Sequence, residues 1–294
     1  MKKLIFKGAA VAIATPFTTT GINYPELKKM LEFQIANHTD AVVIAGTSGE
    51  ASTMSDEEHK EIIKFTVDEV HGRIPVIAGT GSNDTAYAVQ LSRFAEEAGA
   101  DAILSVTPYY NKCTQKGLIK HFTQIADSIN IPVILYNVPS RTGVNIKPET
   151  YAQLAKHPRI VAVKEANGDI SAVLKTRALC GDELNIYSGN DDQIIPILSL
   201  GGKGVISVLS NIAPNITHDM CQLYFAGDVT GAAQLQIDWA RLITALFSEV
   251  NPIPVKTALK IMGYNMGNLR MPLTDMESAN YDCLKVLMSE HHLI

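Results

Sequence analysis

A single lysine, Lys164, lies inside an otherwise apolar segment that begins at Ile160 and is followed by the loop Asn167–Asp169. A strand of this composition is typical of a parallel sheet that is buried on both faces. Burial removes water from an ammonium group, so we expect the pKa of Lys164 to be lowered. A neutral lysine is a nucleophile that forms a Schiff base with a carbonyl compound. The structural alternatives are a lysine that reaches solvent at a strand end or pairs with Glu165.

Hydroxyl groups occupy comparable positions after other apolar segments. Tyr136 ends the strand that precedes that of Lys164, while Thr47 and Tyr110 follow two earlier strands. In a barrel of parallel strands the carboxyl ends share one rim, so Tyr136 and Lys164 can face the same cavity. A Schiff-base reaction needs a group that moves protons, and a tyrosine backed by further hydroxyls can do this. Each hydroxyl alone is more simply explained as structural, but their convergence with Lys164 predicts an active site.

Two further segments suit the binding of carboxylates. The Gly46–Gly49 segment lacks the lysine of a phosphate-binding P-loop, and better fits a turn whose backbone N–H groups hold a carboxylate. Arg141 follows Tyr136 by five residues, and its planar guanidinium would suit a second carboxylate. The alternative for Arg141 is an ordinary surface arginine.

Short apolar segments alternate with helical patterns up to about residue 210, which predicts an α/β fold, a (β/α)8 TIM barrel. The predicted strands are Ala9–Ala14, Ala41–Ala45, Val76–Ala78, Ala102–Val106, Pro132–Tyr136, Val161–Lys164, Asn185–Tyr187 and Gly204–Val208. Glycines between a helix and the next strand indicate helix C-caps, at Gly72, Gly99, Gly181 and Gly201. Ser55 and Glu58 form a predicted capping box. A doubly wound sheet is the alternative fold.

Beyond residue 210 the pattern is helical. One long helix is predicted from the apolar spacing of Leu235, Trp239, Leu242, Leu246 and Val250. The proline-rich segment Asn251–Val255 predicts a rigid break, with further helices at Lys256–Met262 and Glu277–Ser289. We therefore divide the chain into a catalytic barrel, residues 1–224, and a small C-terminal helical domain, residues 225–294.

The composition favours a globular protein of the cytoplasm. The 294 residues are 46% hydrophobic and 19% charged, and the net charge of −5 disfavours nucleic acid or an anionic membrane as a partner. Lys7 interrupts the N-terminal apolar segment, so a first strand is favoured over a signal peptide. The four cysteines are far apart and are expected to be reduced, mostly buried thiols, with no metal site.

Taken together, these motifs resemble the dihydrodipicolinate synthase family, within the pyruvate-dependent class I aldolase (N-acetylneuraminate lyase) superfamily. The resemblance covers essentially the whole chain, in order and at matching spacing. The segments that carry it are Gly46-Thr-Ser-Gly-Glu50, Thr107-Pro-Tyr-Tyr110, Tyr136-Asn-Val-Pro-Ser-Arg-Thr-Gly143, Val163-Lys-Glu165, Gly204-Val-Ile-Ser207 and Asn251-Pro-Ile-Pro-Val-Lys256.

The resemblance implies a role for each matching residue. Lys164 would form the Schiff base, and Tyr136 would donate and accept protons. Thr47 would connect Tyr136 to Tyr110, which would reach into the site of a neighbouring subunit.

The remaining matches imply substrate contacts. Ser48, where many relatives have threonine, would hold the pyruvate carboxylate, and Ile206 would line the pyruvate pocket. Arg141 and Gly189 would receive L-aspartate 4-semialdehyde.

The activity implied is the condensation of pyruvate with L-aspartate 4-semialdehyde in the diaminopimelate route to lysine, with no cofactor because the lysine itself is the electron sink. A homotetramer built from two tight dimers is also implied. The alternatives are another pyruvate-dependent aldolase, such as N-acetylneuraminate lyase or a 2-keto-3-deoxy sugar acid aldolase, and a barrel that binds a keto acid without turnover.

The resemblance also bears on regulation. Relatives that lysine inhibits bind it at the tight-dimer interface with a histidine and a glutamate, where this chain has Asp56 and Tyr87. Ala51 replaces a serine of those relatives, whereas the lysine-site residues His59, Asn83 and Tyr109 remain. Because Tyr87 lacks the carboxylate that pairs with the ammonium groups of lysine, weak or absent inhibition is predicted.

Overall fold

The computed structural model describes residues 2–294, and its centre is a closed barrel of eight parallel strands. Each strand pairs with the next along the chain, and the last pairs with the first. The strands are β1 (Gly8–Ala12), β2 (Ala41–Ile44), β3 (Val76–Gly79), β4 (Ala102–Val106), β5 (Val133–Asn137), β6 (Ile160–Glu165), β7 (Asn185–Ser188) and β8 (Gly204–Ser207). The predicted TIM barrel is confirmed, and its closure excludes the doubly wound sheet.

The strands are buried on both faces, and their side chains alternate between two apolar layers. On β5, Ile134 and Tyr136 belong to the interior of the barrel, while Val133 and Leu135 pack outward against the helices. The predicted strand ends lie within two residues of the observed ones, and both ends of β4 coincide with the prediction. β2, for example, ends before Ala45, because the backbone of Ala45 adopts a positive φ of 54° that no strand continues.

Helices surround the barrel and continue beyond it. They are α1 (Tyr24–Ala36), α2 (Asp56–Val70), α3 (Thr85–Glu97), α4 (Gln115–Asp127), α5 (Pro139–Thr142), α6 (Pro148–Leu154), α7 (Ile170–Cys180), α8 (Ile194–Ser199), α9 (Pro214–Phe225), α10 (Val229–Asp238), α11 (Ala240–Ala245), α12 (Ile253–Ile261) and α13 (Ser278–Glu290). The capping box at the start of α2 is confirmed: the Glu58 N–H donates to Ser55 Oγ, and the Ser55 N–H donates to the Glu58 carboxylate. The predicted C-cap glycines Gly72, Gly99, Gly181 and Gly201 all have positive φ.

The prediction of one long helix through Val250 is wrong. The chain forms α10 and α11, which are separated at Trp239, and the helical hydrogen bonding ends soon after Ala245. Trp239 is buried and stacks on the ring of His291. The apolar spacing of the sequence continues across the interruption, so the sequence pattern does not reveal it. Val250, assigned to the apolar face, is exposed.

The predicted rigid break at Asn251–Val255 is also too long. α12 already begins at Ile253, and Pro254 lies in its first turn. A proline is tolerated there because the first helical N–H groups have no partner within the helix. The last predicted helix is confirmed as α13, shifted by one residue at each end. The division at residues 224/225 remains a prediction.

Within residues 2–294, every helix is too short or too polar to cross a membrane. Of the cysteines, Cys180 and Cys221 are buried, Cys113 is partly exposed and Cys283 is exposed. The expectation of mostly buried thiols therefore holds for two of the four residues.

Candidate active site

Lys164 and Tyr136 lie side by side near the carboxyl ends of β6 and β5. They are directly paired in the register of the two strands, and both side chains point into the barrel, where they are 5% and 7% exposed. Lys164 Nζ lies 4.5 Å from the centre of the Tyr136 ring. An amine and a phenol are thus brought together in a largely water-excluded position, as the strand-end pattern predicts.

Neither structural alternative for Lys164 fits this geometry. The lysine is buried, so it does not reach solvent at the strand end. Glu165 points to the opposite face of β6, where its carboxylate accepts hydrogen bonds from Asn137, Tyr151 and the Asn167 N–H. Among the described residues, Lys164 therefore has no carboxylate partner within ion-pair distance.

The turn after β2 has the form expected of a carboxylate-binding loop. The Gly49 N–H donates to the Gly46 carbonyl at 3.2 Å, and the Glu50 N–H donates to the Thr47 carbonyl at 3.1 Å. In the described part of the chain, the N–H groups of Thr47 and Ser48 donate to no acceptor. Ser48 is buried, and its Oγ accepts a hydrogen bond from Asn251 Nδ2 at 3.1 Å.

A buried ion pair holds this turn against the C-terminal helices. Lys256 Nζ on α12 lies 2.6 Å from Glu50 Oε1, and both side chains are 1% exposed. The Arg270 N–H donates to the other Glu50 oxygen at 2.9 Å. Burial lowers the pKa of Lys256, and the nearby Glu50 carboxylate opposes that effect. Sequence reasoning gave these residues no role, although Glu50 and Lys256 end two of the recognised motifs.

Arg141 and Gly189 lie on the rim around Lys164. Arg141 belongs to the short helix α5, and its Nη2 donates to the Asn251 carbonyl at 2.9 Å. Gly189 follows β7, and its N–H donates to the Glu165 carbonyl at 2.7 Å. A Cβ at position 189 would approach Ala166 Cβ to 2.7 Å, so a larger residue here would clash with the segment that follows β6.

A cavity of about 650 Å³ joins these elements at the carboxyl end of the barrel. The predicted site residues that line it are Thr47, Ser48, Tyr136, Arg141, Lys164 and Gly189. A volume of this size suits a small organic substrate.

Two predicted site residues lie elsewhere. Tyr110 is 92% exposed and lies outside the cavity, so a single chain does not bring it to Tyr136. Ile206 is fully buried in the barrel interior with Tyr136, but it is not part of the cavity wall. In the described chain no hydrogen bond links Thr47 to either tyrosine.

A buried carboxyl group near the site escaped sequence reasoning. Asp191 follows the rim residue Gly189, and its Oδ2 accepts hydrogen bonds from the N–H groups of Val208 and Leu209 at 3.0 and 2.9 Å. Burial raises the pKa of Asp191, while the positive charge of Lys164 is among the influences that lower it. Its position three residues after the end of β7 was the available signal.

Comparison with known proteins agrees with this geometry. The model of the dihydrodipicolinate synthetase family matches residues 5–291. The chain belongs to this family. A 4-hydroxy-tetrahydrodipicolinate synthase of Clostridium acetobutylicum is 58% identical over 290 residues, which cover 99% of both chains.

Solved structures of family members share the whole architecture. Dihydrodipicolinate synthase from Thermotoga maritima has a TM-score of 0.97 at 38% identity, covering 99% of this chain and 100% of that one. The lysine-bound enzyme from Cyanidioschyzon merolae has a TM-score of 0.96 at 36% identity, with coverage of 99% and 100%. All three relatives bear the synthase name rather than that of a sugar acid aldolase.

The positions that the family resemblance connects with lysine inhibition lie at the cavity, but several of them carry different residues in this chain. Ala51, His59, Tyr87 and Tyr109 all line it. The Tyr87 hydroxyl donates to Asp56 Oδ1 at 2.9 Å, and burial together with Asp56 raises the pKa of Tyr87 to about 12. Tyr87 therefore presents a neutral hydroxyl here, and its hydrogen is already used by Asp56.

Proposed function

We propose that this protein condenses pyruvate with L-aspartate 4-semialdehyde to give 4-hydroxy-tetrahydrodipicolinate, through a Schiff base on Lys164. The observation that carries the proposal is the buried Lys164 amine beside the Tyr136 ring, at the base of a cavity bordered by a carboxylate-binding turn. Family membership and the synthase name of the relatives support the same reaction.

The first half of the reaction activates pyruvate. Neutral Lys164 Nζ attacks the ketone carbon, and the Tyr136 hydroxyl supplies and removes the protons needed to expel water. The resulting iminium withdraws electrons from the adjacent methyl group, which loses a proton and becomes an enamine. The N–H and hydroxyl of Ser48 hold the pyruvate carboxylate, with Ile206 packed below as an apolar support.

The second half uses L-aspartate 4-semialdehyde. The enamine carbon attacks the aldehyde carbon, and the aldehyde oxygen takes a proton to become a hydroxyl. The amino group of the semialdehyde then attacks the iminium carbon and displaces Lys164 by transimination, which closes the ring. Arg141 binds the carboxylate of the semialdehyde as a charge-assisted pair, and Gly189 gives it backbone contact.

The proposed proton relay is completed by a second copy of the chain. Tyr110 is almost fully exposed and cannot serve its own cavity, which supports its insertion into the site of a neighbouring subunit beside Thr47. We assign the assembly as a homotetramer of two tight dimers and the location as the cytoplasm.

An assay with two types of aldehyde tests the function. The protein with pyruvate should turn over L-aspartate 4-semialdehyde, and sugar aldehydes should give no comparable rate. Borohydride added with pyruvate should fix a pyruvate-derived adduct, which peptide mass spectrometry should locate on Lys164. An adduct on another lysine, or preference for a sugar aldehyde, would contradict the proposal.

A further inference from the structure

The residues that follow Tyr136 and Lys164 are themselves paired. Asn137 and Glu165 are opposite each other in the register of β5 and β6, one position beyond the reacting pair. Because side chains alternate along a strand, this second pair points away from the cavity, toward the helices. Asn137 Nδ2 donates to Glu165 Oε1 at 2.8 Å, which ties the two strand ends together.

The Glu165 carboxyl group accepts further hydrogen bonds from neighbouring segments. The Tyr151 hydroxyl of α6 donates to Glu165 Oε2 at 2.7 Å, and the N–H of Asn167 donates to Oε1 at 3.0 Å. Glu165, Tyr151 and Asn137 are 4%, 1% and 0% exposed. A buried carboxyl group is costly unless its oxygens are satisfied, so these donors fix its position closely.

We propose that Glu165 is a positioning residue of the Schiff-base reaction, acting through the spacing and orientation of Tyr136 and Lys164. The inference rests on the proposed function, because those two residues are the reacting pair. The carboxyl group itself touches neither substrate nor cavity. It holds the carboxyl end of β6 against β5 and α6, so that the phenol and the amine on the inner face remain aligned.

The neighbouring strand β7 carries a matched control residue at the opposite end of the barrel. Asn185 Nδ2 on β7 donates to the Val161 carbonyl of β6 at 3.1 Å and to the Lys3 carbonyl at 3.2 Å. Asn185 is buried like Asn137, but it lies at the opposite end of the barrel from the cavity. Its loss removes comparable hydrogen bonds without altering the ends that carry Tyr136 and Lys164.

The test measures how fast imine forms at saturating pyruvate, as the rate at which borohydride traps the adduct. We expect Glu165→Ala to lower this rate on the order of 10–100-fold, the range produced by displacements of about 1 Å in a reacting pair. Tyr151→Phe, which deletes one bond and no bulk, should lower it several-fold. Glu165→Gln should restore most of the rate, since its oxygen still accepts from Asn137 and its amide can donate to Tyr151.

A double-mutant cycle separates positioning from a general loss of structure. In a Tyr136→Phe background the effect of Glu165→Ala should shrink markedly, because the geometry that it protects no longer serves a proton donor. Asn185→Ala should leave the trapping rate within about twofold of wild type. The inference would be overturned if Glu165→Ala lowered the trapping rate as much in the Tyr136→Phe background as in the wild-type background. It would also be overturned if Asn185→Ala lowered the rate as much as Glu165→Ala does, or if neither Glu165→Ala nor Tyr151→Phe changed the rate. If the wild-type protein traps no imine, the proposed function fails first, and this inference fails with it.

Discussion

Arg141 is exposed, but its guanidinium is held in place by a hydrogen bond to a backbone carbonyl. One nitrogen is held by the Asn251 carbonyl, and the group lies at the mouth of the cavity. The same Asn251 donates to Ser48 Oγ. The two proposed carboxylate-binding groups are therefore connected through one asparagine, but each is assigned to a different substrate.

Replacement of Arg141 should affect the second substrate selectively. A charge-assisted hydrogen bond contributes roughly 1.5–3 kcal/mol, so Arg141→Ala should raise the KM for L-aspartate 4-semialdehyde about 10-fold or more. The KM for pyruvate should change little. Steady-state kinetics with each substrate varied in turn measure both constants, with the remote surface variant Arg241→Ala as control. Equal increases in both constants would show that Arg141 shapes the whole site.

Titration of Glu165 should also affect how the free energy of unfolding depends on pH. Burial raises its pKa to about 7 from 4.5, although hydrogen bonds from Tyr151 and Asn137 oppose the rise. The folded protein therefore keeps this proton to higher pH than the unfolded chain does. The contribution of protonated Glu165 to the free energy of unfolding is fully present below pH 4.5 and is lost as the pH rises through about 7.

Urea unfolding at pH 5 and pH 8 tests this, with Glu165→Gln as the variant that cannot titrate. Relative to that variant, the wild-type free energy of unfolding should fall by as much as about 3 kcal/mol between the two pH values. The neighbouring Tyr151 and Cys180 have pKa values raised above their ordinary values, so both titrate above this window. Parallel pH curves for the two proteins would contradict the assignment.

At the scale of elements, the segments on either side of α12 contribute to the cavity wall, through residues such as Asn251 and Leu273. α12 carries Lys256, whose ammonium pairs with Glu50 in the turn after β2, across 206 positions of the chain. Removing one partner of a buried pair leaves an uncompensated charge, which typically costs ~3–5 kcal/mol. Attachment of α12 to the barrel is thus coupled to the shape of the turn after β2, the proposed carboxylate-binding turn.

We expect Lys256→Met to lower the free energy of unfolding by ~3–5 kcal/mol, and Lys64→Met by less than about 1 kcal/mol. Lys64 pairs with Asp68 on the exposed face of α2 at 2.9 Å, so it controls for loss of an ion pair without burial. Replacing both buried partners, in Glu50→Leu/Lys256→Met, should recover part of the loss. Equal destabilisation by the two single lysine variants would show that burial of the Glu50 pair adds nothing.

The elements that sequence predicts best are those whose signal is local. Each strand is a short apolar segment, and Lys164 stands out because a charged residue interrupts one. The contact between Trp239 and His291, in contrast, joins residues that lie far apart in sequence. The ion pair between Glu50 and Lys256 likewise joins distant parts of the sequence. Residue types suggest such contacts only after the fold brings the segments together.

At the scale of the whole molecule, the barrel places the carboxyl ends of all eight strands at one rim, and this explains why a few motifs define the site. It also leaves Tyr110 exposed, at a position where the backbone φ is 65°, whereas the preceding Tyr109 lines the cavity. A single chain therefore contains the proposed nucleophile Lys164, Tyr136 and the proposed carboxylate-binding turn, but it lacks the last hydroxyl of the proposed relay. The proposed relay therefore predicts that catalysis depends on assembly.

Regulation by lysine belongs to the same scale, because the family resemblance implies a lysine site between subunits. Here the Tyr87 hydroxyl is bound to Asp56, which also pairs with Lys60 at 2.6 Å. No carboxylate at position 87 is present to meet an incoming ammonium group. Since each 1.4 kcal/mol changes affinity tenfold, the loss of one desolvated ion pair should weaken lysine binding by one or more orders of magnitude.

We therefore expect physiological lysine to inhibit this protein weakly or not at all. Titration of lysine into the steady-state assay measures this directly, with the double variant Asp56→His/Tyr87→Glu as the positive comparison. The variant supplies the histidine and glutamate of inhibited relatives and removes the Tyr87–Asp56 hydrogen bond, so its sensitivity to lysine should exceed that of wild type. Strong inhibition of the wild-type protein at sub-millimolar lysine would show that the Tyr87 hydroxyl, or another group in the pocket, replaces the missing carboxylate.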